Sequence, residues 1–320
     1  MLSGKGGVGK SSTTVQLALT LAGRNGGTHV GILDVDLTGP NIPLLLDVES
    51  HKIVQTPTGW EPVIAVPESS TIATSEGSSG SRGSTPYGRV SCISLAFLLP
   101  AKGTSVVWRG PKKTAMVRQL LGEVSWGDIE YLLIDTPPGT SDEHISLVET
   151  LMSEDVGTEV VVGAVLVTTP QAVATADVRK EMSFCDKVGL RVFGVIENMS
   201  GFRCPCCGVI TEVFSSGGGE RLASEVGVEF FGKVPLDGSF VGMIEKRQSR
   251  TREGVRGTEG VSVDADRDGD RDDEGLMERY SKCGLAPVYR EIVGKLVDSV
   301  EIMRREREVV RVAELKVEVR

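Results

Sequence analysis

Eight residues near the amino end, Gly4-Lys5-Gly6-Gly7-Val8-Gly9-Lys10-Ser11, constrain this chain more than any other feature. They follow G-x-x-x-x-G-K-[ST], and each residue type has a physical task. The glycines let consecutive backbone N–H groups turn inward around phosphate oxygens. Lys10 brings positive charge to the outer phosphates, and Ser11 offers a hydroxyl to magnesium. A helix must follow with its N-terminus facing the phosphates, and residues 12–22 read as that helix. The expected fold is α/β, a mostly parallel sheet with helices on both faces, the ligand lying beyond the carboxyl ends of the strands.

Apolar runs at 29–34, 131–135, 160–168 and 191–197 read as strands, each ending in a polar or small residue. Two of them end in acids. Ile32-Leu33-Asp34-Val35-Asp36 carries two carboxylates whose alternation would turn both toward the phosphates, with Asp36 the candidate for placing an attacking water. Leu132-Leu133-Ile134-Asp135 has the Walker B form, and Asp135 is expected to hold Mg²⁺ with Ser11. Only Met1 to Ser3 precede the glycine-rich loop, where a strand of about five residues is expected. The first strand therefore reads as truncated, with a start lying upstream and a site poorly braced at its amino end.

A chain of 320 residues, 40% hydrophobic, can bury one large core, and 1–320 reads as one domain with two inserts. Residues 68–86 are rich in Ser, Gly and Thr, and residues 246–274 in Arg, Asp, Glu and Gly. Both lack the apolar content that offsets ordering entropy. Residues 301–320 mix Arg and Glu with Val and read as a solvated helical extension rather than a lipid anchor. A net charge of −9 argues against nucleic-acid and membrane partners, and no export pattern opens the chain, so a cytoplasmic location is expected. Six cysteines in a reducing compartment favour metal or redox chemistry over disulfides, above all where three crowd together at Cys204, Cys206 and Cys207.

Several stretches together resemble the Mrp/NBP family of deviant Walker A P-loop ATPases, a branch of the SIMIBI class that also holds MinD. They are Asp34-Val35-Asp36-Leu37-Thr38-Gly39-Pro40, Trp108-Arg109-Gly110-Pro111-Lys112-Lys113, the run from Asp135 to His144, Thr168-Thr169-Pro170-Gln171, Glu197-Asn198-Met199-Ser200-Gly201-Phe202 and Gly232-Lys233-Val234-Pro235-Leu236-Asp237. The likeness spans roughly residues 3–300 outside the inserts. It is strongest to the shorter cytosolic iron–sulfur assembly type, which lacks a cysteine-rich segment ahead of the P-loop. The resemblance implies a scaffold that uses ATP to assemble a 4Fe-4S cluster and pass it to cytosolic and nuclear apoproteins. It implies a homodimer, or a hetero-oligomer with a longer, cysteine-extended relative. Lys5 would reach into a partner's nucleotide site and act with Lys10 and Asp36 in hydrolysis that serves as a slow conformational switch. Asn198 would recognise the adenine.

The chemistry of Cys204-Pro205-Cys206-Cys207 alone leaves a cluster, a zinc ion and a redox pair open. The family resemblance favours a cluster held by Cys204 and Cys207. Since a cluster needs about four thiolates, two per subunit implies sharing across a two-fold dimer. Cys206 departs from the family pattern and adds a third thiol that could compete. Cys92, Cys185 and Cys283 read as packing residues, and His144 as a structural loop histidine. Two other readings remain: a positioning ATPase of the MinD/ParA kind, and a zinc-stabilised ATPase without a cluster.

Overall fold

The computed structural model describes residues 1–24, 26–36, 39–57, 59–69, 86–98, 110–153, 160–244 and 274–318, without the side chains of 110, 111 and 307–318. Helix α1 (Lys10–Ala22) leaves the P-loop and leads into β1 (Val30–Asp34). A short α2 (Ile42–Leu45), a small hairpin of β2 (Val54–Thr56) and β3 (Gly59–Glu61), then β4 (Val63–Val66) and β5 (Val90–Ser94) follow. Next come α3 (Gly110–Glu123), β6 (Tyr131–Asp135), α4 (Asp142–Leu151), β7 (Ala164–Thr168), α5 (Ala172–Val188) and β8 (Val192–Arg203). The chain continues through β9 (Ile210–Thr211), α6 (Gly218–Val226), β10 (Glu229–Leu236), α7 (Leu276–Ser281) and the long α8 (Ala286–Glu318).

The strands order as β4-β5-β1-β6 and β7-β8-β10, parallel except for β4 on β5 and for β9, which pairs antiparallel with β8. Residues 1–3 fill the seam between the two runs. Leu2 forms a parallel bridge to Leu166, its N–H donating to the Val165 carbonyl at 3.0 Å and its carbonyl accepting from Val167 at 2.9 Å. The Met1 amine donates to the Ile134 carbonyl of β6, and Thr136 Oγ1 donates to the Met1 carbonyl. These short residues thus carry the strand position that leads into the P-loop.

Both faces of the sheet are covered, and alternation along the strands explains how. Val30 and Ile32 of β1 pack with α1 and α8, while Leu33 points to the opposite face against Val117, Leu120 and Leu147 of α3 and α4. Beneath β7 and β8 the same opposite face is filled from α5 and α6 by Val178, Met182, Leu222 and Ala223. Helix α1 is buried almost all round, so its polar residues need partners inside. Tyr289 of α8 donates to Thr13 Oγ1, Gln16 Nε2 donates to the Tyr289 hydroxyl, and Tyr280 donates to the Gln16 carbonyl.

The insert at 68–86 lies outside the described residues except at its neck. There Ser69 N–H donates to the Tyr87 carbonyl and Tyr87 N–H returns a bond to Ser69 Oγ. The insert at 246–274 falls outside the described residues except for Glu274, as do Trp108 and Arg109. The strand expected at 191–197 runs on to Arg203. Its extension crosses an irregularity in which Asn198 pairs with Val234 but Phe202 with Leu236, absorbed by left-handed backbone at Met199 (φ 57°) and Gly201 (φ 82°). A side chain at 201 would meet Ile210 Cγ2 at 2.6 Å, so only glycine fits.

Candidate functional site

The P-loop curls at the carboxyl ends of β1 and β6, with Gly7 (φ 80°) and Gly9 (φ 83°) in the left-handed region. Gly9 is the N-cap of α1, so the helix begins at Lys10 with its free N–H groups facing the loop's hollow. Registration of the parallel ladder sets Asp34 beside Asp135 at the strand ends.

Asp135 is fully buried and gathers the loop's functional side chains. Lys10 Nζ lies 2.6 Å from its Oδ1, Ser11 Oγ donates to Oδ2 at 2.5 Å, and Thr14 Oγ1 donates to Oδ1 at 3.1 Å. Ser11 and Asp135 thus present hard oxygen donors side by side, a set that fits Mg²⁺. Mg²⁺ bound there would neutralise phosphate charge. Thr14 was not singled out from the sequence, although it lies one helical turn beyond Lys10 on the same face.

The acids of β1 part company. The strand ends at Asp34, so alternation does not extend to Asp36. Asp34 points into the protein: its Oδ2 accepts from Ser94 Oγ at 2.8 Å and its Oδ1 accepts the Asp36 N–H at 3.1 Å. Burial, reinforced by the neighbouring Asp135 charge, pushes its carboxyl up to about 8. Asp36 sits just past the strand, held by that turn, with 8% of its surface exposed. The strand alternation expected to turn both carboxylates to one side therefore stops at Asp34.

Asn198, at the carboxyl end of the regular part of β8, touches the loop directly. Its Nδ2 donates to the Val8 carbonyl at 2.8 Å, bracing the P-loop from the side. The adjacent Glu197 is fully buried and accepts from Ser200 Oγ at 2.6 Å and from the N–H groups of Gly217 and Gly219, the latter at 2.6 Å. It caps the N-terminus of α6, a carboxylate where the helix dipole favours one. Nothing in the local sequence announced this, because cap and helix are separated by twenty residues. Lys5 is half-buried, and its ammonium has no ion pair among the described residues.

Beyond Gly201, β8 and β9 form a two-stranded ribbon whose turn is Cys204 to Val209. Cys204 N–H donates to the Val209 carbonyl, Gly208 N–H donates to the Cys204 carbonyl, and Gly208 takes a φ of 72° to close the turn. The backbone N–H groups of Cys207, and then of Cys206, lie against the Cys204 sulfur and hold its thiol below the ordinary cysteine value. Cys206 and Cys207 are exposed, and none of the three is paired in a disulfide. Among the described residues no group of three or more His, Cys, Asp or Glu side chains is placed to hold a metal. Cys92 and Cys185 are buried in the core, where desolvation raises both thiols, and Cys283 is buried beside Ser239.

His144 is not in a loop but in the first turn of α4. Its Nδ1 accepts the Ser141 N–H and its Nε2 donates to the Pro137 carbonyl, a reciprocal cap that fixes the turn after Asp135. Desolvation lowers its imidazole below the ordinary value, so the ring stays neutral in this role.

Comparison with known proteins agrees with this geometry. Residues 1–260 match a family described as ParA, NUBPL iron-transfer P-loop NTPase. The chain is 51% identical over 306 residues to the cytosolic Fe-S cluster assembly factor CFD1 of Chaetomium globosum, covering 94% of this chain and 96% of the relative. It is 48% identical to the protein of that name from Aspergillus fumigatus, covering 94% and 95%. Among solved structures, an Archaeoglobus fulgidus nucleotide-binding protein in complex with ADP aligns with a TM-score of 0.58 at 33% identity, over 77% of this chain and 84% of that one. The septum site-determining protein MinD of Pyrococcus horikoshii aligns with a TM-score of 0.50 at 19% identity, over 95% and 96%, a likeness of fold. Among the described residues, no helix is long and apolar enough to cross a membrane. From the glycine-rich loop with Lys10 and Ser11 on Asp135 to the match over most of its length, the chain belongs to the NUBPL iron-transfer P-loop NTPase family.

Proposed function

We propose that this protein is an ATP-dependent scaffold that assembles a 4Fe-4S cluster and hands it to apoproteins of the cytosol and nucleus. The observation that carries this reading is the path of β8. One strand holds Asn198 against the P-loop and, six residues on, Cys204 at the head of a solvent-facing thiol turn. A change at the nucleotide therefore has a covalent route to the cysteines that passes through the left-handed residues Met199 and Gly201.

Cys204 and Cys207 would each give a thiolate to the cluster. Two ligands from one subunit leave the coordination incomplete, and a second subunit related by a two-fold axis supplies the remainder. The second subunit is another copy of this chain or a longer, cysteine-extended relative. The names of the relatives support both the cargo and a cytosolic setting.

At the nucleotide, the loop Gly4-Lys5-Gly6-Gly7-Val8-Gly9 would wrap the phosphates, with Lys10 stabilising charge as it develops on the transferred phosphoryl group. Asp36 would orient the water that attacks the terminal phosphorus as the bond to the bridging oxygen breaks. Lys5, without an ion pair among the described residues, would reach the partner's phosphates. Asn198 would read the adenine through its amide oxygen, its Nδ2 keeping the bond to Val8. Hydrolysis then acts as a slow switch that loosens the grip of β8 on the P-loop.

Lys10→Ala tests the coupling. The variant should lose nucleotide binding and, with it, transfer of a reconstituted cluster to an apo-ferredoxin. Transfer at the wild-type rate by a variant that binds no ATP would refute the coupling.

A further inference from the structure

Arg203 is the last residue of β8 and stands directly before Cys204, yet its side chain leaves the thiol turn for another part of the fold. Its Nη1 donates to the Gly284 carbonyl at 2.8 Å and lies 3.9 Å from Asp237 Oδ2. Among the described residues, no other side chain from Phe202 to Thr211 is hydrogen-bonded outside that stretch. The turn otherwise belongs to a short, exposed ribbon, a structure that is marginal in water unless something tethers it. A hydrogen bond with a charged donor is among the stronger tethers a half-exposed side chain can make.

The far end of the tether is a fixed corner. Gly284 lies between α7 and α8, where Cys283 N–H donates to the Tyr280 carbonyl and Ala286 N–H donates to the Cys283 carbonyl. Two buried tyrosines flank this corner, and both bond to α1. Tyr289 donates to Thr13 Oγ1 and accepts from Gln16, while Tyr280 donates to the Gln16 carbonyl and its hydroxyl lies 2.9 Å from Thr20 Oγ1. Parting the corner from α1 would strand these buried hydroxyls, so the two move together. Helix α1 begins at Lys10, on the phosphate loop itself.

We infer that Arg203 is a positioning residue that couples the thiol turn to the phosphate loop through the α7–α8 corner, by a path separate from the backbone of β8. A shift of α1 when phosphates seat at its N-terminus passes through Tyr280 and Tyr289 to Gly284. From the Gly284 carbonyl the guanidinium carries it to the residue before Cys204. The inference rests on the scaffold reading for its purpose, but the tether itself needs no metal.

The test is amide hydrogen exchange on the full, metal-free chain, read at the Cys204 and Gly208 N–H groups that close the turn. MgADP at saturation should change their exchange rates about fivefold or more in the wild type. Arg203→Met, which keeps much of the length but has no donor, should abolish that response. Gly284→Ala reaches the same bond from its other end, since a Cβ there would lie 3.2 Å from Arg203 Nη1 and 2.8 Å from Asp237 Oδ2. Both are flexible side-chain ends, so the tether is displaced while the fold survives. Gly284→Ala should therefore reduce the response as well, and add nothing in the Arg203→Met background. A wild-type turn indifferent to MgADP would overturn the inference, as would a response that survives in Arg203→Met or is untouched by Gly284→Ala. If the chain takes up zinc rather than iron and the response is still lost in Arg203→Met, the scaffold reading fails and Arg203 keeps its role.

Discussion

Replacing Gly9 by alanine strikes the P-loop at its tightest point. Gly9 has a φ of 83°, where an L-residue costs roughly 1–2 kcal/mol. A Cβ there would also lie 2.2 Å from Asn198 Nδ2, closer than any real contact, and would expel the amide from its 2.8 Å bond to the Val8 carbonyl. Losing that bond adds about 1 kcal/mol. The free loop can relieve the strain by opening, but the phosphate-bound loop cannot, so the cost appears as lost affinity. Gly7 supplies the control: its φ is 80°, but no atom lies within 4 Å of its would-be Cβ. Titration calorimetry with MgADP should therefore show Gly7→Ala weaker by roughly tenfold and Gly9→Ala by roughly a hundredfold, at 1.4 kcal/mol per decade. Asn198→Ala should remove the clash, so that Gly9→Ala costs less in that background. Equal losses at Gly7 and Gly9, or a full Gly9 penalty in the Asn198→Ala background, would refute the argument.

Other perturbations follow from buried charge. Burial and the nearby Asp177 push Glu181 of α5 from an ordinary 4.5 up to about 7, and its Oε2 has no hydrogen-bond partner. The folded protein thus holds a proton that the unfolded chain releases, so stability falls as pH rises from 4.5 through 7. Glu181→Gln should match wild type near pH 4.5 and exceed it at pH 8 by up to about 3 kcal/mol in urea unfolding; equal stability at pH 8 would remove the explanation. Glu197→Ala strips the cap from α6 and should cost about 3 kcal/mol, with amide exchange rising first at Gly217 and Gly219. Tyr289→Phe keeps the ring but removes the hydroxyl shared by Thr13 and Gln16, and should lower stability by about 1 kcal/mol without changing ADP affinity.

Much of the fold was legible because local rules and tertiary outcome agree. The apolar run 131–135 became β6 without a change of boundary, and the glycine-rich loop led into a helix whose first residue is Lys10. What stayed hidden depends on distant residues. Alternation could not place Asp36, since β1 stops at Asp34 and a side-chain turn takes over. Glu197 looked like a strand end, and only the return of α6 shows it as a cap. The strand expected at 191–197 continues through Met199 and Gly201 toward the cysteines because the irregular pairing with β10 absorbs the extra residues. The exposure of β9 was not legible either, because residues 209–214 match no motif in the sequence and only the fold leaves them in solvent.

The central claim is a cluster held jointly by Cys204 and Cys207 of two subunits. Anaerobic reconstitution with iron and sulfide, followed by metal analysis and mass determination, tests it most directly. The account predicts a brown dimer with about four iron and four sulfide per pair of chains, lost in both Cys204→Ser and Cys207→Ser but retained in Cys206→Ser. A colourless protein carrying stoichiometric zinc, or a full cluster on a monomer, would contradict it.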